Sequence, residues 1–251
     1  MKKLTSFILL IGLCLMILTG CDLNSEEYSL QDKITEEIKY TENKLVGIVN
    51  SFASGSYLEN ANENTENNTN INEDNTVDVI ETNNIFKSDK VLEDTRDIEE
   101  ASNILMVDLA TQNIDNDEIT RFSDGINKMI SVLSTNDENQ YLIELNNVFS
   151  LLPNFEAKVS NDSDEIFERR LKYFTISSYI AFAVDDKELA KTQVNTLESE
   201  FLEKQKNIEY VEEHKYNLNK IYLLIEELKK GIESDREEIV KEKYLLLIDE
   251  I

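Results

Sequence analysis

Glycine and proline are almost missing from this chain: six glycines and one proline, Pro153, in 251 residues. A sheet needs turn after turn, and tight turns draw on Gly, Pro and Asn. Gly12 and Gly20 fall within the first 20 residues, so four glycines serve all the rest. The expected fold class is therefore all-α: an antiparallel helical bundle or set of helical hairpins with short connections.

The apolar pattern agrees. Leu30, Ile34, Ile38, Leu45, Val49 and Phe52 make the stripe of a first helix, with Gly55 as its stop. After residue 88 the helical spacing returns. Ile98, Ala101, Leu105 and Leu109 mark a second helix, and Asp115 with Glu118 reads as a capping box before a third. Asn136 or Asp137 caps a fourth, stopped by Pro153 because the residue before a proline leaves helical geometry. A fifth runs from about Asp164 to Val184 and is apolar over a wide arc. Asp185 or Asp186 caps a sixth, and a seventh ends near Gly231. Ser234 with Glu237 reads as the capping box of an eighth. Asp137, Asp186 and Asp235 recur at a spacing of 49, but the side chains after them do not match. The spacing reads as a common hairpin length rather than a solenoid repeat.

Between the first two helices the chain changes character. Glu59 to Asn84 is dominated by Asn, Glu and Asp and has almost nothing apolar before Ile71. It cannot bury enough surface to offset its ordering entropy, so residues 57–87 are expected to be a disordered Asn-rich linker. The expected organisation is residues 1–20 as a signal peptide, 21–56 as anchor and first helix, 57–87 as linker, and helical domains at 88–158 and 159–251.

The start of the chain fixes an address. Lys2 and Lys3 precede an apolar run from Phe7 to Leu18, which ends in Leu18-Thr19-Gly20-Cys21. That is the layout of a secretory signal peptide whose small-residue cleavage site runs into a cysteine. It resembles a bacterial lipobox, in which the cysteine is acylated and becomes the first mature residue. Cys21 is thus the expected lipidation site, and the expected location is the outer face of the cytoplasmic membrane. Asp22 resembles the inner-membrane retention signal of Gram-negative bacteria and points to the same membrane. Two or three acyl chains, each contributing about 0.8 kcal/mol per buried methylene, hold a protein there durably.

Charge narrows the partners. The net charge is −26, and cleavage before Cys21 removes two lysines and no acid, leaving −28. Such a chain is repelled by nucleic acid and by anionic head groups, so no nucleic-acid binding is expected and the body stands off the membrane. A protein partner is expected; oligomeric state is not legible. The other cysteine, Cys14, leaves with the signal, so disulfides, thiolate catalysis and cysteine metal sites are not expected.

Few residues carry candidate chemistry. His214, the single histidine, sits on the apolar stripe of the seventh helix; it reads as a half-buried structural residue, or as a binding residue. Arg169 and Arg170 could together grip a carboxylate or phosphate; the alternative is an ion pair with Glu165 or Glu168. Carboxylate pairs such as Glu226-Glu227 lie near lysines at helical spacing and read as solvated ion pairs. Tyr173, Tyr179, Tyr216 and Tyr222 could present hydroxyls at helix seams. No phosphate loop, dinucleotide fingerprint, nucleophile elbow or metalloprotease motif is present. No catalysis, cofactor or metal is expected.

Asp186-Lys-Glu-Leu-Ala-Lys191, Phe201-Leu-Glu-Lys204, Glu213-His214, Ile225, Leu228 and the restart at Ser234-Asp235 resemble a small helical family of unknown function in spore-forming Gram-positive bacteria. Its members are often secreted or membrane-tethered, and the likeness covers roughly residues 164–251. The family pattern usually has a tryptophan near Phe201, and this chain has none. The first half resembles uncharacterised lipoproteins of the same bacteria, through the lipobox and Leu151-Leu152-Pro153. Neither resemblance implies a catalytic residue. The expected function is a lipid-anchored structural or protein-interaction module, with a small-solute or cation-binding lipoprotein as the alternative.

Overall fold

The computed structural model describes residues 29–55, 89–112, 114–135 and 137–251, without the side chains of 89, 209 and 213–216. The signal peptide, Cys21 and the 57–87 linker lie outside the described residues. Among the described residues there are nine helices and no strand, so the fold is all-α. No helix among them is long and apolar enough to cross a membrane.

The first helix, α1 (Leu30–Ser54), opens with a capping box: the Asp32 amide donates to Ser29 Oγ and the Ser29 amide donates to Asp32 Oδ2, both at 3.1 Å. Gly55, at φ 71°, ends it in the left-handed conformation that glycine adopts without strain. Its stripe Ile34, Ile38, Leu45, Ile48 and Val49 is fully enclosed. Next come α2 (Asp89–Thr111), α3 (Asn116–Leu133), α4 (Glu138–Phe149) and α5 (Leu152–Val159). The chain then continues through α6 (Ser163–Ala183), α7 (Lys187–Lys204), α8 (Ile208–Glu233) and α9 (Glu237–Glu250).

Two expectations at helix ends need correction. Pro153 ends α4's pattern, but it also starts a helix: it sits in the first turn of α5, where its missing N–H has no helical partner to lose. Phe155 and Val159 then bury α5 in the core. The Ser234–Glu237 capping box does not form. Ser234 Oγ donates back to the Lys230 carbonyl at 2.6 Å, and α9 starts after Arg236 with no side-chain cap. Asp115, Asp137 and Asp186 cap α3, α4 and α7. Glu118 turns away from its cap, toward Lys158 and Arg121.

The last four helices close a ring. α6 packs on α7, α7 on α8, α8 on α9, and α9 returns to α6. Arg170 at the start of α6 meets Glu200 near the end of α7, and Lys220 of α8 meets Glu250 of α9, so neighbours run antiparallel. The two hairpins share a repeat of 50 positions rather than 49. Asp185 (φ 64°) and Asp235 (φ 54°) hold the same left-handed turn. The amides of Asp186 and Arg236 each donate five residues back, to Ala181 and Gly231, which is a Schellman ending. Leu171 and Ile221, Thr175 and Ile225, Ala190 and Val240, and Leu197 and Leu247 are buried pairs at this offset.

The other helices join this ring without a break. α2 packs on α3 and α3 on α4, while α4 and α5 both reach α6. The expected boundary between 158 and 159 falls at the end of α5, yet one hydrophobic cluster runs across it from Ile34 to Leu247. α1 fills the seam, touching α2, α4, α5, α6 and α9.

Candidate functional site

Arg169 and Arg170 do not act as a pair. Arg170 is exposed and meets Glu200 at 2.5 Å. Arg169 is buried at the centre of an ion cluster that ties α6 to α1 and α5. Its Nη1 donates to Glu42 Oε2 at 2.6 Å, and its Nη2 lies 3.5 Å from Glu156 and 3.6 Å from Glu165. Lys172 donates to the other Glu42 oxygen at 3.2 Å, and Thr35 Oγ1 donates to Glu156 at 3.3 Å. Three carboxylates thus face two cations. Burial lifts the Glu156 carboxyl above the usual range, Arg169 opposes that and Glu165 adds to it. Arg169 Nε and Glu156 Oε2 are enclosed with no hydrogen bond. Arg169 is 4% exposed, and its guanidinium faces carboxylates of the same chain. His214 lies in α8, and its side chain is outside the described residues.

The geometry brings other residues together at one end of the molecule. There α4 and α9 begin while α1 and α6 finish, and a hollow of about 550 Å³ opens between them. Its floor is apolar and aromatic: Phe52, Leu142, Tyr179 and Phe182. Its rim is polar, with Glu138, Asp185, Lys187, Asp235, Glu237 and Lys241. The two left-handed aspartates aim their loops at the same place, so Lys187 reaches Asp235 at 2.7 Å and Asp185 at 3.6 Å. Lys241 pairs with Glu237 at 2.6 Å, one helical turn away.

Two groups on this surface are left over. Glu138 has no ion pair or hydrogen bond among the described residues. Burial raises its carboxyl above the ordinary value, with Lys241 pulling the other way. Tyr179 is 3% exposed, and its hydroxyl bonds no group among the described residues. Burial first, then the charges of Glu138 and Glu237, push that phenol well above its ordinary value. The ring is fixed by stacking on Tyr244, with centroids 4.4 Å apart. The Tyr244 hydroxyl is spent on Asn50 of α1, to which it donates at 2.7 Å.

A second hollow, of about 510 Å³, lies between α1 and α2. Tyr40, Ala101 and Ile104 line it and Glu36, Glu37 and Glu100 edge it. Ile104 and nearby Val107 are 54% and 64% exposed, unusual for two apolar residues a turn apart. Among the described residues no three His, Cys, Asp or Glu side chains group closely enough to hold a metal ion.

Sequence reasoning picked neither Glu138 nor Asp235 as a site residue, and took Tyr179 only as a seam hydroxyl. The available signal was the even spacing of Asp137, Asp186 and Asp235: in an up-and-down bundle every second loop shares an end. Comparison with protein-family models, with curated proteins and with solved structures finds no match to this chain.

Proposed function

We propose that this chain is a lipid-anchored helical module on the outer face of the cytoplasmic membrane, contacting a protein partner there without catalysis. The observation that carries the reading is Leu18-Thr19-Gly20-Cys21 placed directly after a charged start and a short apolar run. Three features support the rest. Arg121, Arg169 and Arg170 and most of the described lysines are engaged with carboxylates of the same chain. The α1–α2 hollow presents apolar side chains to solvent inside an acidic edge, which suits a partner with a basic, amphipathic surface. The net charge keeps the body off an anionic bilayer.

Mass spectrometry of the amino-terminal peptide, after growth with an alkyne-labelled fatty acid, tests the anchor. A labelled peptide beginning at Cys21 is expected. An unlabelled peptide beginning at Met1 in membrane-bound protein overturns it. For the contact, Ile104→Lys with Val107→Lys should leave thermal stability unchanged and abolish crosslinks formed in cells by the wild-type chain. Crosslinks that persist remove the α1–α2 face from consideration.

A further inference from the structure

We propose that the hollow at the α4–α9 end binds one small organic cation, its ammonium group between the Glu138 carboxylate and the Tyr179 hydroxyl and its apolar body against Phe52 and Phe182. This goes beyond the anchored-module reading and does not depend on it.

The first support is Tyr179. The ring is enclosed, while the hydroxyl oxygen makes no bond to the protein among the described residues and reaches solvent through the hollow. Here the hydroxyl borders an open hollow rather than a packed wall. It is therefore available to a ligand that brings a donor.

The second support is the charge balance of the rim. Lys187 is held by Asp235 and Asp185, and Lys241 by Glu237. Both lysines make their close pairs elsewhere, and Glu138 feels Lys241 only at a distance, with no ion pair or hydrogen bond of its own among the described residues. An anion would meet four carboxylates, with neither lysine free to receive it. A cation would meet one unpaired carboxylate in a half-buried place, where a charge-assisted hydrogen bond is strong. The amino-terminal end of α4 favours a negative charge at Glu138 and so explains why a lone carboxylate is tolerated there.

The third support is the floor. Phe52, Tyr179 and Phe182 supply aromatic surface next to the carboxylate, the combination that recognises substituted ammonium groups. The volume, 550 Å³, falls in the range of roughly 300–1,000 Å³ of small-molecule sites. A bare metal ion fits worse, because the carboxylates are spread around the rim rather than gathered.

The test is isothermal titration of the full chain in detergent, in about 150 mM salt to screen the surface charge. The probes are 3,3-dimethylbutylamine and phenethylamine, with the uncharged 3,3-dimethylbutan-1-ol and phenethyl alcohol as counterparts. At least one amine should saturate a single site that its uncharged counterpart does not fill. Glu138→Gln should weaken it about tenfold or more, as expected for losing an ion pair, and Tyr179→Phe by about threefold, as expected for losing one hydrogen bond to a hydroxyl that water otherwise serves. Tyr179→Phe should melt no lower than wild type, because its hydroxyl supports no bond in the free protein. Glu203→Gln, at the far end of α7 and exposed, should change nothing. The proposal fails if neither amine binds, if charge on the probe makes no difference, or if Glu203→Gln weakens binding as much as Glu138→Gln.

Discussion

The seam around α1 adds buried polar and charged side chains to its apolar stripe, whereas the α8–α9 hairpin buries almost none among its described residues. At the seam α1, α5 and α6 bury Thr41, Glu42, Glu156, Arg169, Thr175 and Ser178. In α8 and α9 the described buried residues are Tyr210, Leu218, Ile221, Leu224, Ile225, Leu228, Gly231, Ile232, Val240, Tyr244 and Leu247. Buried ions are poor sources of stability, since desolvation offsets most of their attraction, but they accept very few arrangements. The hairpin gains stability from apolar burial, at about 1.5–3 kcal/mol per large side chain. The seam fixes where α1 sits.

Removing one partner should expose that difference most. Glu42→Leu leaves Arg169 and Lys172 facing an apolar side chain and should cost about 3–5 kcal/mol in urea unfolding. Replacing Glu42, Glu156 and Arg169 together by apolar residues should recover most of that loss; a triple variant as unstable as the single one would break the comparison. Leu247→Ala in the hairpin should cost about 3 kcal/mol, the usual penalty of a buried cavity. Thr175 and Ile225 are equivalent by the 50-residue repeat, yet Thr175 Oγ1 is buried without a hydrogen bond. Thr175→Val should therefore stabilise by about 1 kcal/mol, and a loss of stability there would show that the hydroxyl is used.

The smallest effect is on pH dependence. Burial raises Glu156 and Glu138, and burial with Asp108 raises Glu37. A carboxyl whose folded value lies above its unfolded value holds its proton more tightly in the native state. Its contribution is complete below the unfolded value and is lost as pH rises through the folded one. The melting temperature should accordingly hold or rise on going from about pH 7 to about pH 5, as self-repulsion of the acidic chain also falls. A steady fall over that interval in the wild type, or no change of slope in Glu138→Gln, would show that these acids do not control it.

The all-α fold was legible because scarce Gly and Pro and a 3.6-residue stripe both depend on local geometry. The eight expected helices are present, and the ninth was hidden because Pro153 can end one helix and begin another. The repeat was hidden because its equivalent positions differ in kind: Thr175 against Ile225, Val194 against Tyr244. Aligning Asp186 with Asp235 put a cap opposite a left-handed residue, one position out of register. The ion cluster left one trace. Four residues beyond Ile38, where the α1 stripe should continue, stands Glu42. Its partner Arg169 is 127 residues further on, a distance that no local pattern can span.

That distance also bears on how the chain reaches its native state. Helical bundles usually fold through near neighbours and fold fast. Here the first helix is completed by the last: Asn50 accepts its hydrogen bond from Tyr244, 194 positions away. Until residue 169 has been made α1 lacks its buried ion partner, and until α9 has been made it lacks the Tyr244 hydrogen bond. During synthesis the emerging chain stays short of a finished core, which is the condition an export channel requires of its cargo. The α8–α9 hairpin, with its local contacts, can form early and wait. Docking of α1 is then the late, slow event, and refolding followed at a reporter on α1 should lag behind one on α9.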